Sequence, residues 1–180
     1  MTESKNPLLD LSDLIDYAAV KPEHVAEAVR FWRERLEAAL ARATAAETPA
    51  TWEAVVEPLE NAVLDFSRAW GAVGHLQSVV DTPALRDAYN AALPIVTDCF
   101  IRLSQDEALF AKYRAIEASP AFKSLSAVRQ RIVKREIRDF VLSGAALPEA
   151  KRERVKAIGQ ALSQASQKFS ENLLDATNAF

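Results

Sequence analysis

The stretch FVLSGAALPEAKRERV, residues 140–155, decides how this chain folds. A hydrophobic run stops at Ser143-Gly144, and four residues later Pro148 opens a heavily charged run. The break reads in one of three ways: a catalytic loop, a phosphate cradle, or a corner between two helices. A cradle needs several glycines or a Gly-Lys-Ser/Thr ending, and neither is present. Gly144 stands just past the last apolar contact of the preceding segment, where a helix favours a left-handed C′ residue. Pro148 is pre-set for the first turn of the next helix, and Glu149 complements that helix's dipole. The stretch is a helix–helix corner.

Outward from this corner the same punctuation recurs. Pro22-Glu23 opens a helix of roughly 22 residues whose apolar positions Val25, Ala28, Val29, Trp32, Leu36, Ala39 and Leu40 recur at three and four. After an Ala/Thr/Pro-rich loop (residues 43–50), Thr51 caps a second helix beginning TWEAVVEPLE. Pro58 inside it predicts a kink or a one-turn irregularity. Thr82-Pro83 starts a third helix, with Pro94 inside the pattern, and Asp106-Glu107 starts a fourth. Ser119-Pro120 marks a turn. A fifth helix from about Ser126 carries Val133, Ile137, Phe140 and Val141 on one side and Arg131, Lys134, Arg135 and Arg138 on the other. The sixth, beyond Pro148, carries Val155, Ile158, Leu162, Ala165, Phe169 and Leu173 as one apolar stripe. No run alternates with period two for long enough to form a sheet, and no fixed-period repeat occurs. The expected fold is all-α, a bundle of about six helices, over residues 21–180. Residues 1–20 form an extended arm, with Leu8, Leu9, Leu11, Leu14 and Ile15 available to anchor it.

Composition agrees. Hydrophobic residues make up 49% of 180 and charged residues 26%, while glycine occurs only 4 times, which suits long helices rather than glycine-rich sheet turns. A net charge of -3 gives no field to attract nucleic acid or anionic lipid. The single cysteine, Cys99, excludes an intrachain disulfide and fits a reducing compartment. No apolar run approaches the roughly 20 residues that span a bilayer. The N-terminal residues lack a signal peptide's basic start and apolar core. A cytoplasmic protein, bound to neither membrane nor nucleic acid, is the expectation.

Chemistry is sparse. A helical zinc site pairs histidines at i and i+4. Around His24 those positions hold Val20 and Ala28, and around His75 they hold Gly71 and Val79. One histidine reads as part of a helix start, the other as packed near a helix end. Cys99 lies in an apolar segment without an evident base and reads as a core residue. Glu34, Glu37, Glu53, Glu57 and Glu60 read as exposed helix formers. The basic stripe Arg131, Lys134, Arg135 and Arg138 is the most suggestive surface feature. It either faces an acidic partner or polar cleft, or is the wet face of an amphipathic helix. Lys151-Arg152-Glu153-Arg154 is another wet face. Aromatics interleaved with basic residues, as single-stranded nucleic acid requires, are missing from both.

Several stretches taken in order carry a resemblance: NPLL (6–9), KPEHV (21–25), TWEAVVEPLE (51–60), HLQSVVDTPALRDAY (75–89), LP (93–94), RDFVLSGAALPEAKRER (138–154) and FSENLLDAT (169–177). Together they resemble the N-terminal region of the oligopeptidase A group of thimet-oligopeptidase-type zinc metallopeptidases, the M3 family. The specificity lies in order and spacing across nearly the whole chain, since no single piece is a catalytic signature. The resemblance implies a helical N-terminal domain of a larger peptidase, forming part of the wall of a channel that admits short peptides. It implies zinc in the full-length parent, bound by an HExxH motif and a downstream glutamate. This sequence has no HExxH, so no catalytic or metal residue carries over and the chain by itself is expected to be inactive. The remaining partner is then the catalytic domain absent from this chain. The substrate-facing residues stay unassigned, with Arg131, Lys134, Arg135 and Arg138 as the candidate polar face. The alternative is a stand-alone helical protein-interaction module.

Overall fold

The computed structural model describes residues 6–180, so residues 1–5 of the arm lie outside the described residues. Every regular element among the described residues is helical. Six α-helices follow in order: α1 (Pro22–Thr44), α2 (Glu57–Val79), α3 (Pro83–Ser104), α4 (Glu107–Ala118), α5 (Ala127–Leu142) and α6 (Glu149–Ala179). A 3-10 turn at Tyr17–Ala19 precedes α1, a π turn at Trp52–Val56 leads into α2, and a 3-10 turn at Pro120–Ser124 joins α4 to α5. The chain is the all-α bundle that its periodicity predicts.

The helices begin where side chains can satisfy orphan amides. Thr51 accepts from the Ala54 amide at 3.2 Å, Thr82 from Leu85 at 3.3 Å, Asp106 from Leu109 at 2.7 Å and Ser126 from Arg129 at 3.3 Å. Each such cap contributes about 1 kcal/mol. Pro58 has the predicted effect one turn upstream. Its ring would clash with the carbonyl four residues back, so the backbone widens and the Glu57 amide reaches five residues back, to the Trp52 carbonyl. At the opening corner, Gly144 has φ +90, the Gly144 amide bonds to Val141 at 3.2 Å and the Ala145 amide to Phe140 at 2.9 Å. This is a Schellman ending, with Ala145 and Phe140 both buried. Pro148 stands one position earlier than expected: it caps α6, and its carbonyl receives the Lys151 amide at 2.9 Å.

The core forms around α1, which packs on α2, α3 and α4. Val25, Ala28, Val29, Trp32, Leu36 and Ala39, all named from spacing alone, are buried there. Phe66 against Phe100 (centroids 5.4 Å) and Trp70 against Tyr89 (4.5 Å) join α2 to α3. Phe140 joins α5 to α4 through Phe110 and Tyr113, at 5.5 and 5.6 Å. The N-terminal residues lie on this body. Leu8 is fully buried and its carbonyl accepts the Trp32 indole N–H at 2.7 Å, while Asn6 donates to the His24 carbonyl at 3.0 Å. Leu14 departs from the expectation: it is 91% exposed and anchors nothing.

Two further expectations are corrected. Val141 is half exposed, because α5 turns only Val133 and Phe140 fully inward and its last turn already leads to the corner. More consequentially, the apolar stripe of α6 is not its packed face. Ile158, Leu162, Phe169 and Leu173 are 51%, 64%, 69% and 58% exposed. The side laid on α3 instead carries Gly159, Ser163 and Glu171. A Cβ at Gly159 would stand 3.0 Å from Ile101, so this glycine permits the close approach. Polar pairs then fasten the seam: Thr97 with Ser163 (3.0 Å), Asn90 donating to Glu171 (2.7 Å) and Lys156 with Asp98 (2.7 Å).

Candidate functional site

The basic stripe lies along the outer side of α5. Arg131, Lys134, Arg135 and Arg138 are all exposed, opposite the buried Val133 and Phe140. Its charge is partly spent at home. Arg138 donates to Asp139 at 2.9 and 3.0 Å, and Arg135 reaches the same carboxylate at 3.4 Å. Arg138 foremost, then Arg135, holds the Asp139 carboxyl below its usual range. Lys134 sits 5.8 Å over the Phe122 ring. Arg131 has no ion-pair partner among the described residues.

Beside this stripe opens a recess of about 240 Å³ where α2, α3, α4 and α5 meet. Leu59, Phe100, Leu109 and Phe140 form its apolar wall, and Glu60, Tyr113 and Glu136 supply its polar groups. The buried Tyr113 hydroxyl hydrogen-bonds Glu60, and burial pushes the phenol far above its ordinary value. Burial also raises the Glu60 carboxyl, against the lowering effect of that hydrogen bond. Glu136 is raised by burial and then by the like charges of Glu60 and Asp139, with Arg135 opposing. Spacing along the chain misses this cluster, because Glu60, Tyr113 and Glu136 come from three helices and each alone resembles an ordinary surface or core residue. The recess offers hydrogen bonds but no assembled nucleophile: the Ser104 hydroxyl on its rim already donates to the Ile101 carbonyl at 2.9 Å.

A second cleft, about 410 Å³, lies between α1 and α3. Arg33 with Glu37 (3.4 Å) and Arg102 with Asp98 (2.7 Å) line it, and Cys99 faces it from the α3 side. Burial pushes the Cys99 thiol up, as do Glu37 and Asp98, against Arg33 and Arg102, which disfavours the nucleophilic thiolate.

The histidines do not converge on a metal. His24 is buried, and its Nδ1 accepts the Lys21 amide at 3.1 Å, completing the start of α1. His75 is exposed and meets Tyr17 edge-on at 5.6 Å. Among the described residues no three of His, Cys, Asp and Glu come together in a way that would hold a metal ion. These side chains do not fit a zinc site.

What the surface chemistry leaves open, comparison with known proteins answers at the level of the family. Residues 30–152 match the neurolysin/thimet oligopeptidase N-terminal domain, from within α1 to the start of α6. The chain belongs to the thimet oligopeptidase family. A probable cytosolic oligopeptidase A of Arabidopsis thaliana is 41% identical to this thimet oligopeptidase-family domain over 99% of the domain, which covers 25% of that relative. An organellar oligopeptidase A of the same plant is also 41% identical, over 99% of the domain and 22% of the relative. Oligopeptidase A of Salmonella typhimurium is 35% identical over 96% of the domain and 25% of its own length. The domain thus spans about a quarter of the length of these curated relatives.

The segments that carried the resemblance meet in space within this thimet oligopeptidase-family domain. Arg86, at the start of α3, pairs with Asp81 in the α2–α3 corner and with Asp175 near the end of α6. Asp81 has φ 42, a left-handed corner position. Arg86 above all holds the Asp81 carboxyl low. No helix among the described residues is long and apolar enough to cross a membrane.

Proposed function

We propose that this chain serves as the N-terminal domain of a zinc-dependent oligopeptidase that cleaves short peptides in the cytoplasm. In this reading residues 6–20 strap the helical body, and residues 21–180 form part of the wall of the substrate channel. The domain positions peptides and excludes folded chains, while zinc and the bond-breaking groups belong to a catalytic domain outside it. The observation that carries the reading is the family match over residues 30–152 in a chain that spans a quarter of its oligopeptidase relatives. The two histidines support it: His24 is engaged in a helix start and His75 in a ring contact, far from the needs of a ligand set. Rigid helices with a polar outer side suit a channel wall. Arg131, Lys134, Arg135 and Arg138 are the side chains offered to peptide carboxylates, Arg131 foremost because its charge is not shared.

The test is an exchange. This chain replaces the matched region of the Arabidopsis probable cytosolic oligopeptidase A, and cleavage of short peptides is followed. The expected result is retained cleavage, with KM rising on Arg131→Glu. A well-folded exchange protein that cleaves no peptide overturns the reading.

A further inference from the structure

The exposed side of α6 calls for a partner. Between Ile158 and Leu173 the helix carries only two charged residues, Lys168 and Glu171, and these pair with each other at 3.9 Å. Ala161, Ala165, Ser166 and Ser170 separate the large apolar residues Ile158, Leu162, Phe169 and Leu173. A solvated helix face is laced with charges, as α5 is; depletion of charge around apolar anchors marks the centre of an interface. The spacing of the row, through Ala165, is four, three, four and four, the ridge that another α-helix packs against.

We propose that this row is the face on which the part of the oligopeptidase outside this chain packs, by laying an apolar helix along α6. The inference rests on the preceding functional reading. Size argues for that occupant over a second copy. The row is roughly 22 Å long at 1.5 Å per residue. Four half-to-two-thirds exposed side chains offer on the order of 400 Å² per side, below the roughly 1,000 Å² in total that separate chains need to stay together. A tethered partner escapes this limit, because the connection supplies a high local concentration. The relatives, four times as long as this chain, supply such a tethered partner.

Single cysteines placed at Leu162, at Phe169 and, as a control on the remaining exposed side of α6, at Gln164 test this in a Cys99→Ala background. Thiol labelling is compared between the 180-residue chain and the exchange protein described above. The row positions should label at least about tenfold more slowly in the exchange protein, with Gln164→Cys unchanged, as burial under a packed element requires. Equal rates at Leu162→Cys in both overturn the proposal. So does slow labelling in the isolated chain accompanied by a dimeric mass in light scattering, which assigns the row to a second copy. An exchange protein that protects the row but cleaves nothing removes the peptidase reading and leaves the docking face; one that cleaves peptide with the row unprotected does the reverse. Leu162→Glu and Phe169→Glu, exposed and so harmless to the isolated chain, should increase the exchange protein's labelling at the row.

Discussion

Gly144 and Glu136 stand at opposite ends of what a single residue reveals. At Gly144 the φ of +90 strains any other residue, and a Cβ there would stand 3.0 Å from the Leu147 side chain, which would have to give way. Gly144→Ala should cost about 1–2 kcal/mol, read from urea melts. An unchanged midpoint would mean that the corner relaxes freely. At Glu136 the effect depends on pH. Its carboxyl and that of Glu60 are raised above the ordinary value of 4.5, mainly by burial in the recess. The native state therefore holds these protons more tightly than the unfolded chain does. Their contribution to stability is full below pH 4.5 and is lost as pH rises through the folded values. Glu136→Gln should accordingly gain stability over the natural chain on going from acid to neutral pH. The gain stays under about 1 kcal/mol, because half-exposed groups are screened. A gain at acid pH instead would reverse the assignment. Gly144 was legible because a helix ending has local rules; the Glu60–Tyr113–Glu136 contact was not, because only packing of α2, α4 and α5 creates it.

Among the elements, α5 and α6 are held by different forces. α5 is anchored by Val133 and Phe140, the latter packed on Phe110 and Tyr113 and also closing the Schellman ending. Phe140→Ala should cost about 3–5 kcal/mol in thermal or urea unfolding. α6 adheres to α3 largely through charges and hydroxyls, among them Lys156–Asp98, Arg86–Asp175 and Thr97–Ser163, and to α4 through Arg152–Glu107. Raising salt from about 0.05 to 1 M should quicken amide exchange in α6 while leaving α1 unchanged, since partly exposed pairs are screened and an apolar core is not. Equal response of the two helices would show that α6 is held by burial after all. The apolar row of α6 was visible in the sequence, and periodicity assigned it to the interior. Periodicity identifies a face; it does not say whether the body beneath it lies within the same chain.

For the molecule as a whole, the division of labour makes a direct prediction. The purified 180-residue chain should fold as helix, cleave no peptide above a blank and retain no stoichiometric zinc. About one zinc per chain, together with cleavage, would contradict it. Where helices start, stop and turn was written in the sequence by itself: Thr51, Thr82, Asp106, Ser126 and Gly144 act on amides and carbonyls within a few residues, so their effects are local. Membership of the family was equally legible, in short segments whose order spans the chain. Which side of α6 meets α3, how Arg86 draws two distant segments together, and which carboxyls share a recess were decided only by tertiary packing. Those outcomes depend on residues far apart in the chain arriving at the same place, and a spacing rule that reaches three or four positions carries no information about such distances.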